Sequence, residues 1–290
     1  MTTYRLSYYP WITQHRTPAD VQRNVENFAA ELARALGGGD AVTVLPPLEV
    51  DKQIDQILAG ESELALMNPL GYVFARRRAG GDALSSIAIA LRIIDGEVGD
   101  KYFAQLYVRN TSALRKDDPQ LAEKLRGRSI GYGVPYSTSN FLVNAYALKK
   151  KVKVHPFTHF ARVEFLGGHD IAAKAVYEGR VDIGAGHDGV IIDLSNQYGY
   201  GDAREKLVQL VRSDPIPSDP VVARIADDAE RKKVQDALVK AGATAGGRAA
   251  LEGFWGMAQG LKAIGPQEYD PLNKIMNELS LEERDLLRPS

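Results

Sequence analysis

Three small hydroxyl residues stand in a row at Ser137, Thr138 and Ser139, within GYGVPYSTSN and directly ahead of the apolar-periodic run FLVNAYALKK. One such residue is enough to cap a helix. Three in succession over the first backbone N–H groups of a helix can also surround a cluster of anionic oxygens, because short hydroxyls and helix N–H groups donate several hydrogen bonds without a mobile cation. Capping alone and oxyanion binding both fit this segment as a sequence.

Other polar and aromatic residues follow the β-like runs in the same way. YRLSYYPW ends in Tyr8, Tyr9, Pro10 and Trp11; ELALM runs into Asn68 and Pro69, with Tyr72 one turn later; VEFL precedes Gly167, Gly168, His169 and Asp170; VDIGAG precedes His187 and Asp188. In α/β sheets, ligands sit beyond the carboxyl ends of the strands, so this row is where a site is expected. Tyr8 and Tyr72 would supply aromatic walls, and Asn68 and His169 would supply donors. His169 opens a helix straight after a strand, which aims it at a cleft rather than a core. His187 and Asp188 repeat the arrangement, and an aspartate there would accept a proton from the ligand or hold its cationic end. Each of these residues also has a plain structural reading, as a cap, a turn or a core ring.

Competing chemistries find little support. His155 and His159 have the helical spacing of a metal pair, but Pro156 and the β-like HPFTHF argue against a shared helix face, so no metal site is expected. GYGVPY breaks the dinucleotide fingerprint at its third glycine, and neither the phosphate-loop motif nor G-x-S-x-G occurs. Adjacent His169 and Asp170 point in different directions at a helix start, which disfavours a Ser139 triad. No cofactor is implied, and no catalytic residue is assigned.

With 36 Lys and Arg against 37 Asp and Glu, the chain carries no net field that would draw nucleic acid or an anionic membrane surface. An anion must therefore be selected by local geometry. The basic runs Arg76–Arg78 and Lys149–Lys151 fall at helix ends and read as surface. There is no cysteine, so disulfides and thiolate chemistry are out. No apolar run approaches the ~18 residues of a membrane span, and MTTYRLSYYP lacks the regions of a signal peptide. The expected location is extracytoplasmic if an export segment was removed, and cytoplasmic if Met1 is the native start.

Positioning these residues falls to an alternation of strands and helices that runs through 290 residues, enough for two lobes. The pattern predicts helices over 19–36, 50–58, 70–78, 119–125, 138–150, 169–177, 189–197, 227–241, 247–258 and 270–279. Crossovers of this kind build a mostly parallel sheet flanked by helices in each lobe. Extended segments near Ala104–Val108 and Val208–Ser213 are expected to be two hinge strands. Lobe 1 then takes residues 1–105 and 213–290, and lobe 2 takes 106–212.

The segments ALMNPLGYVFARR, YFAQLYVRNTS, SIGYGVPYSTSNFLVNAYAL and FLGGHDIAAKAVYEGRVDIGAG resemble the substrate-binding proteins of ABC importers for phosphonate, phosphite and phosphate. The resemblance spans Leu64 to Gly186 in the family's order. It implies the two-lobed type II periplasmic-binding-protein fold and a non-enzymatic, monomeric receptor that closes on a small oxyanion in an interlobe cleft and docks on permease subunits. In that family the hydroxyl triplet holds the phosphorus-centred oxygens, which falls on Ser137, Thr138 and Ser139. The aromatic walls fall on Tyr8 or Tyr9 and on Tyr72, the histidine on His169 and the acidic position on Asp188. Asn68 stands where glycine is more usual, and His187 beside Asp188 has no counterpart in the pattern. The alternative is an enzyme using His169 or His187 as general base, or a sensory domain, on the same fold.

Overall fold

The computed structural model describes residues 1–10, 16–80, 83–94, 96–256 and 258–287. Trp11 lies outside them. The chain divides into two compact units: the first holds the N-terminal strand, Arg16–Lys101 and Pro217–Asn273, and the second holds Tyr102–Ile216 and the C-terminal residues from Lys274.

The first unit starts with β1 (Thr3–Tyr8), α1 (Pro18–Leu36), β2 (Ala41–Val44), α2 (Val50–Ala59), β3 (Leu64–Leu66), α3 (Pro69–Ala79), β4 (Ser85–Ile94) and β5 (Glu97–Gly99). Helix α1 shows why these boundaries fall where they do. Thr17 and Asp20 form a reciprocal capping box and Pro18 fills the first turn; Gly37 ends the helix at φ 66°, a conformation a side chain would resist. Val21, Val25, Phe28, Ala29 and Leu32 form its buried stripe.

After β6 (Lys101–Tyr102), the second unit comprises β7 (Ala104–Arg109), α4 (Leu121–Leu125), β8 (Ser129–Tyr132), a helical run with α5 (Val143–Ala147) at its centre, β9 (Arg162–Phe165), α6 (His169–Tyr177), β10 (Ile183–His187), α7 (Val190–Ser195), α8 (Ala203–Lys206) and β11 (Leu207–Arg212). The chain then returns through β12 (Ile216–Pro217), β13 (Pro220–Ala223), α9 (Asp228–Ala243), α10 (Ala245–Trp255) and β14 (Ala258–Ala263) to α11 (Asp270–Glu278) and α12 (Glu283–Leu287).

The fold class is α/β, but the sheets are mixed rather than mostly parallel. In the first unit the order is β14-β4-β13-β3-β1-β2, with β5 also on β4. Only β2, β1 and β3 run parallel; the pairings that involve β13, β14 and β5 are antiparallel. In the second unit the order is β11-β7-β10-β8-β9, with β10, β8 and β9 parallel and β7 antiparallel to both its neighbours. Strands that arrive on a returning chain insert with the opposite sense.

Three further expectations are corrected. The segments near Ala104–Val108 and Val208–Ser213 are not crossings: they pair as β7 and β11 inside the second sheet, where LYV of β7 is buried on both faces and β11 closes the edge with Val208 and Gln209 exposed. The chain changes unit at Lys101/Tyr102 and at Ile216/Pro217. The C-terminal residues from Lys274 belong with the second unit, where the Tyr146 hydroxyl donates to Glu278 Oε2 at 3.1 Å. The helix expected to reach Ala258 stops at Trp255, and AQGLKA becomes β14, paired with β4.

Each unit has its own core. In the second, Tyr107, Ala173, Val176, Val181, Val190 and Leu194 pack into one apolar cluster. Gly184 lets the sheet close on it: a Cβ there would come within 2.4 Å of the Tyr107 ring and 2.7 Å of Val176. Among the described residues, no helix is long and apolar enough to cross a membrane.

Candidate functional site

Parallel pairing decides which distant residues of the second unit meet. Ile183 of β10 stands beside Ile130 of β8, which stands beside Val163 of β9, so the three strands end at the same edge of the sheet. The segments that follow them, Gly133–Ser139, Gly167–His169 and His187–Asp188, are thereby gathered at one place. Ser137 Oγ lies 3.4 Å from His169 Nε2, and the rings of His169 and His187 meet at a tilt of 56° with centroids 4.9 Å apart.

The hydroxyl triplet opens a helix of unusual pitch. Residues Thr138–Leu142 form a π-turn, followed by α5 and a second π-turn over Leu148–Val152. The Leu142 N–H reaches back to the Ser137 carbonyl at 3.1 Å, five residues away. Such widened turns are frequent at functional sites. Ser137 is the N-cap, its hydroxyl accepting from the Asn140 N–H at 3.1 Å. Thr138 and Ser139 are buried.

Two asparagines that the sequence reading did not select hold this start in place. Asn140 Oδ1 accepts from the Gly133 N–H in a very short contact. Asn144 Nδ2 donates to the Ser139 carbonyl at 2.6 Å and to the Gln105 carbonyl at 3.0 Å, and approaches that of Gly186 at 3.3 Å. Their signal was two amides four residues apart in an otherwise apolar helical stretch, STSNFLVNAYAL. Gly133 has no room for a side chain, since a Cβ would lie 2.7 Å from the Asn140 amide.

His187 ends β10, and both it and the following Asp188 are held by hydrogen bonds. His187 Nδ1 accepts from the Gly189 N–H at 3.1 Å, and Nε2 lies 3.2 Å from Asp193 Oδ2. Asp188 Oδ2 accepts from the Phe103 N–H at 3.2 Å, while the Asp188 N–H donates to the Phe103 carbonyl at 3.0 Å. Gln105 Nε2 donates to the carbonyls of both His187 and Asp188 at 3.1 Å. Asp170, in the first turn of α6, is buried with Oδ2 unpartnered among the described residues. Burial, with a smaller push from Asp170, raises the pKa of the Tyr107 hydroxyl.

In the first unit the expected residues have other occupations. Tyr72 is fully buried, its ring edge-on to Tyr269 at 5.2 Å and its oxygen accepting from the Ser86 N–H at 3.1 Å, which makes it a core tyrosine rather than a wall. Tyr8 is likewise in the core, packed edge-on against Phe254 at 6.0 Å, and burial raises its hydroxyl pKa. Asn68 caps α3 by accepting from the Gly71 N–H at 2.6 Å. Tyr9 follows β1 at the same edge as Asp219 and points its hydroxyl towards Asp219 Oδ1 at 3.4 Å. Asp219 in turn forms a buried ion pair with Arg92, whose Nε donates to Ser218 Oγ at 2.7 Å.

The two histidines with metal-pair spacing are committed separately. His155 Nδ1 accepts from the N–H groups of Phe157 and Thr158 at 3.3 and 3.2 Å, and His159 Nε2 lies 2.7 Å from the Ala122 carbonyl. The basic runs are surface features held by partners: Arg76 pairs with Asp270, Arg78 with Asp55 and Lys151 with Asp214.

This geometry has relatives. A component of an ABC phosphonate transporter from Pseudomonas aeruginosa superposes with TM-score 0.71 at 20% identity, covering 96% of this chain and 86% of that one. PhnD1 from Prochlorococcus marinus, solved in complex with methylphosphonate, gives TM-score 0.73 at 18% identity, over 96% of this chain and 98% of the other. A Xanthomonas citri protein bound to a chloride ion gives 0.72 at 14%, over 96% and 97%. At these identities the likeness is one of fold, and the solved proteins have the two-lobed periplasmic-binding-protein architecture. No curated protein matches the chain by sequence. The family described as "ABC transporter, phosphonate, periplasmic substrate-binding protein" matches residues 11–269, and the chain belongs to that family of transporter substrate-binding proteins.

Proposed function

We propose that this protein is a non-enzymatic receptor for a small phosphorus-centred oxyanion, held in the second unit by Ser137, Thr138, Ser139 and His169 and delivered outside the cytoplasm to the permease of an ABC importer. The observation that carries the reading is the approach of Ser137 Oγ to His169 Nε2 at the shared carboxyl edge of β8, β9 and β10. It supports an anion site because hydroxyls and an imidazole can donate together to tetrahedrally arranged oxygens, whereas a cap needs only one of them. Asp188, whose Oδ2 accepts from the Phe103 N–H, would receive a donor or a cationic substituent of the ligand. Tyr8 and Tyr72, occupied by packing, take no part in this assignment.

Ligand that binds only the folded state raises its melting temperature. Thermal melts with methylphosphonate, phosphite and phosphate are expected to show stabilisation by at least one of them, and Ser137→Ala with Thr138→Ala should lose it. Identical melts across the panel would reject the reading. A product formed from any bound phosphonate would favour an enzyme instead.

A further inference from the structure

His187, at the end of β10, pairs with Asp193 of α7. The acceptor and donor demands on its ring are opposite at its two nitrogens. Nδ1 faces the Gly189 N–H at 3.1 Å, a backbone donor that requires a lone pair there. Nε2 faces Asp193 Oδ2 at 3.2 Å, a carboxylate that requires a proton there. Only the neutral Nε2–H tautomer satisfies both. The imidazolium would set Nδ1–H against the Gly189 N–H and strand two donors in a place where the side chain is 11% exposed. Asp188 does not offset this, because its nearest oxygen is 4.0 Å from Nδ1 and its other oxygen is taken by the Phe103 N–H.

The fixed ring has a neighbour to act on. His169 packs against it at a tilt, with ring centroids 4.9 Å apart, and lies 3.4 Å from Ser137 Oγ, so the orientation of His187 is passed to the imidazole beside the hydroxyl triplet. We propose that Asp193 is a positioning residue: it locks His187 as the neutral Nε2–H tautomer, and the locked ring holds His169 in place over Ser137. Its bearing on ligand affinity rests on the oxyanion reading; the lock itself does not. The arrangement parallels the way an outer carboxylate fixes the tautomer and angle of a histidine that does the binding.

Nitrogen-15 NMR of the imidazoles in the full chain at neutral pH tests it. His187 is expected to show an unprotonated Nδ1 and a protonated Nε2. Asp193→Ala should mix the tautomers, move the ring resonances of His169 and weaken methylphosphonate binding roughly tenfold, the scale of one hydrogen bond. Asp193→Asn, whose amide oxygen can accept the same bond, should restore all three and covers the case in which the alanine variant does not fold. A wild-type His187 found as the Nδ1–H tautomer or the imidazolium overturns the proposal. So does an Asp193→Ala protein with unchanged His187 and His169 signals. If wild-type protein does not bind methylphosphonate, the oxyanion reading loses its support while the two spectroscopic readouts still decide on Asp193.

Discussion

Ser137 and His169 are thirty-two residues apart in sequence, yet the serine Oγ and the histidine Nε2 lie 3.4 Å apart. The contact joins a helix cap to the start of another helix across two parallel strands. It separates two roles that the same hydroxyl could have. Ser137→Ala should cost about 1 kcal/mol of stability through the lost cap. Ser137→Asp retains an excellent N-cap but places a carboxylate against any bound oxyanion. We expect it to melt close to wild type and to lose methylphosphonate stabilisation entirely, with calorimetry as the check. Undiminished binding by Ser137→Asp would confine this residue to capping.

Gly184 and Gly133 are closed to side chains for different reasons. At Gly184 a methyl would press on Tyr107 and Val176 in the core, so Gly184→Ala should destabilise by about 1–3 kcal/mol, seen as a lower denaturant midpoint. At Gly133 the methyl would meet the Asn140 amide, which secures the start of the hydroxyl-bearing helix. Gly133→Ala should therefore weaken ligand binding by more than its loss of stability explains.

The buried pair Arg92–Asp219 makes a sharp stability prediction. Both side chains are almost wholly inaccessible, and Asp219 also receives the Tyr9 hydroxyl. Arg92→Met would leave a buried carboxylate without its cation, a loss of roughly 3–5 kcal/mol by chemical denaturation. The double change Arg92→Met with Asp219→Leu should recover part of it, since an apolar pair demands no charge compensation. A double variant no better than the single would contradict this account.

Acid should weaken the first unit in a predictable direction. The Lys262 ammonium, 2.5 Å from Asp100, holds that carboxyl below the usual aspartate range. Lys124 does the same for Asp118 in the second unit. A carboxyl whose folded pKa is depressed contributes stability above its unfolded value, and the contribution is lost as pH falls through the folded one. Melting temperatures of wild type and Lys262→Met should thus differ most above the usual aspartate range and converge as pH falls through the depressed folded value. A gap that stays constant over that range would mean the pair adds nothing through ionisation.

Much of this protein was written locally. The first long helix up to Leu36 and the helix beginning at His169 were legible because turns and apolar periodicity act over a few residues. So was the row of polar residues after each strand, and the hydroxyl triplet within it. Strand order and sense were not legible, because pairing depends on which apolar edges meet. That is why LVQLV and LYV read as hinges but pair inside a sheet, and why the helix expected to reach Ala258 gives way there to AQGLKA, which closes an edge as β14. The roles of Asn144 and Asp193 were hidden for the same reason, since their partners come from other elements. Tyr72 was a wall in the sequence and a core residue in the fold, because burial is a property of everything packed around a ring rather than of the ring itself. Sequence chose the chemical groups; the parallel register of β8, β9 and β10 chose which of them meet.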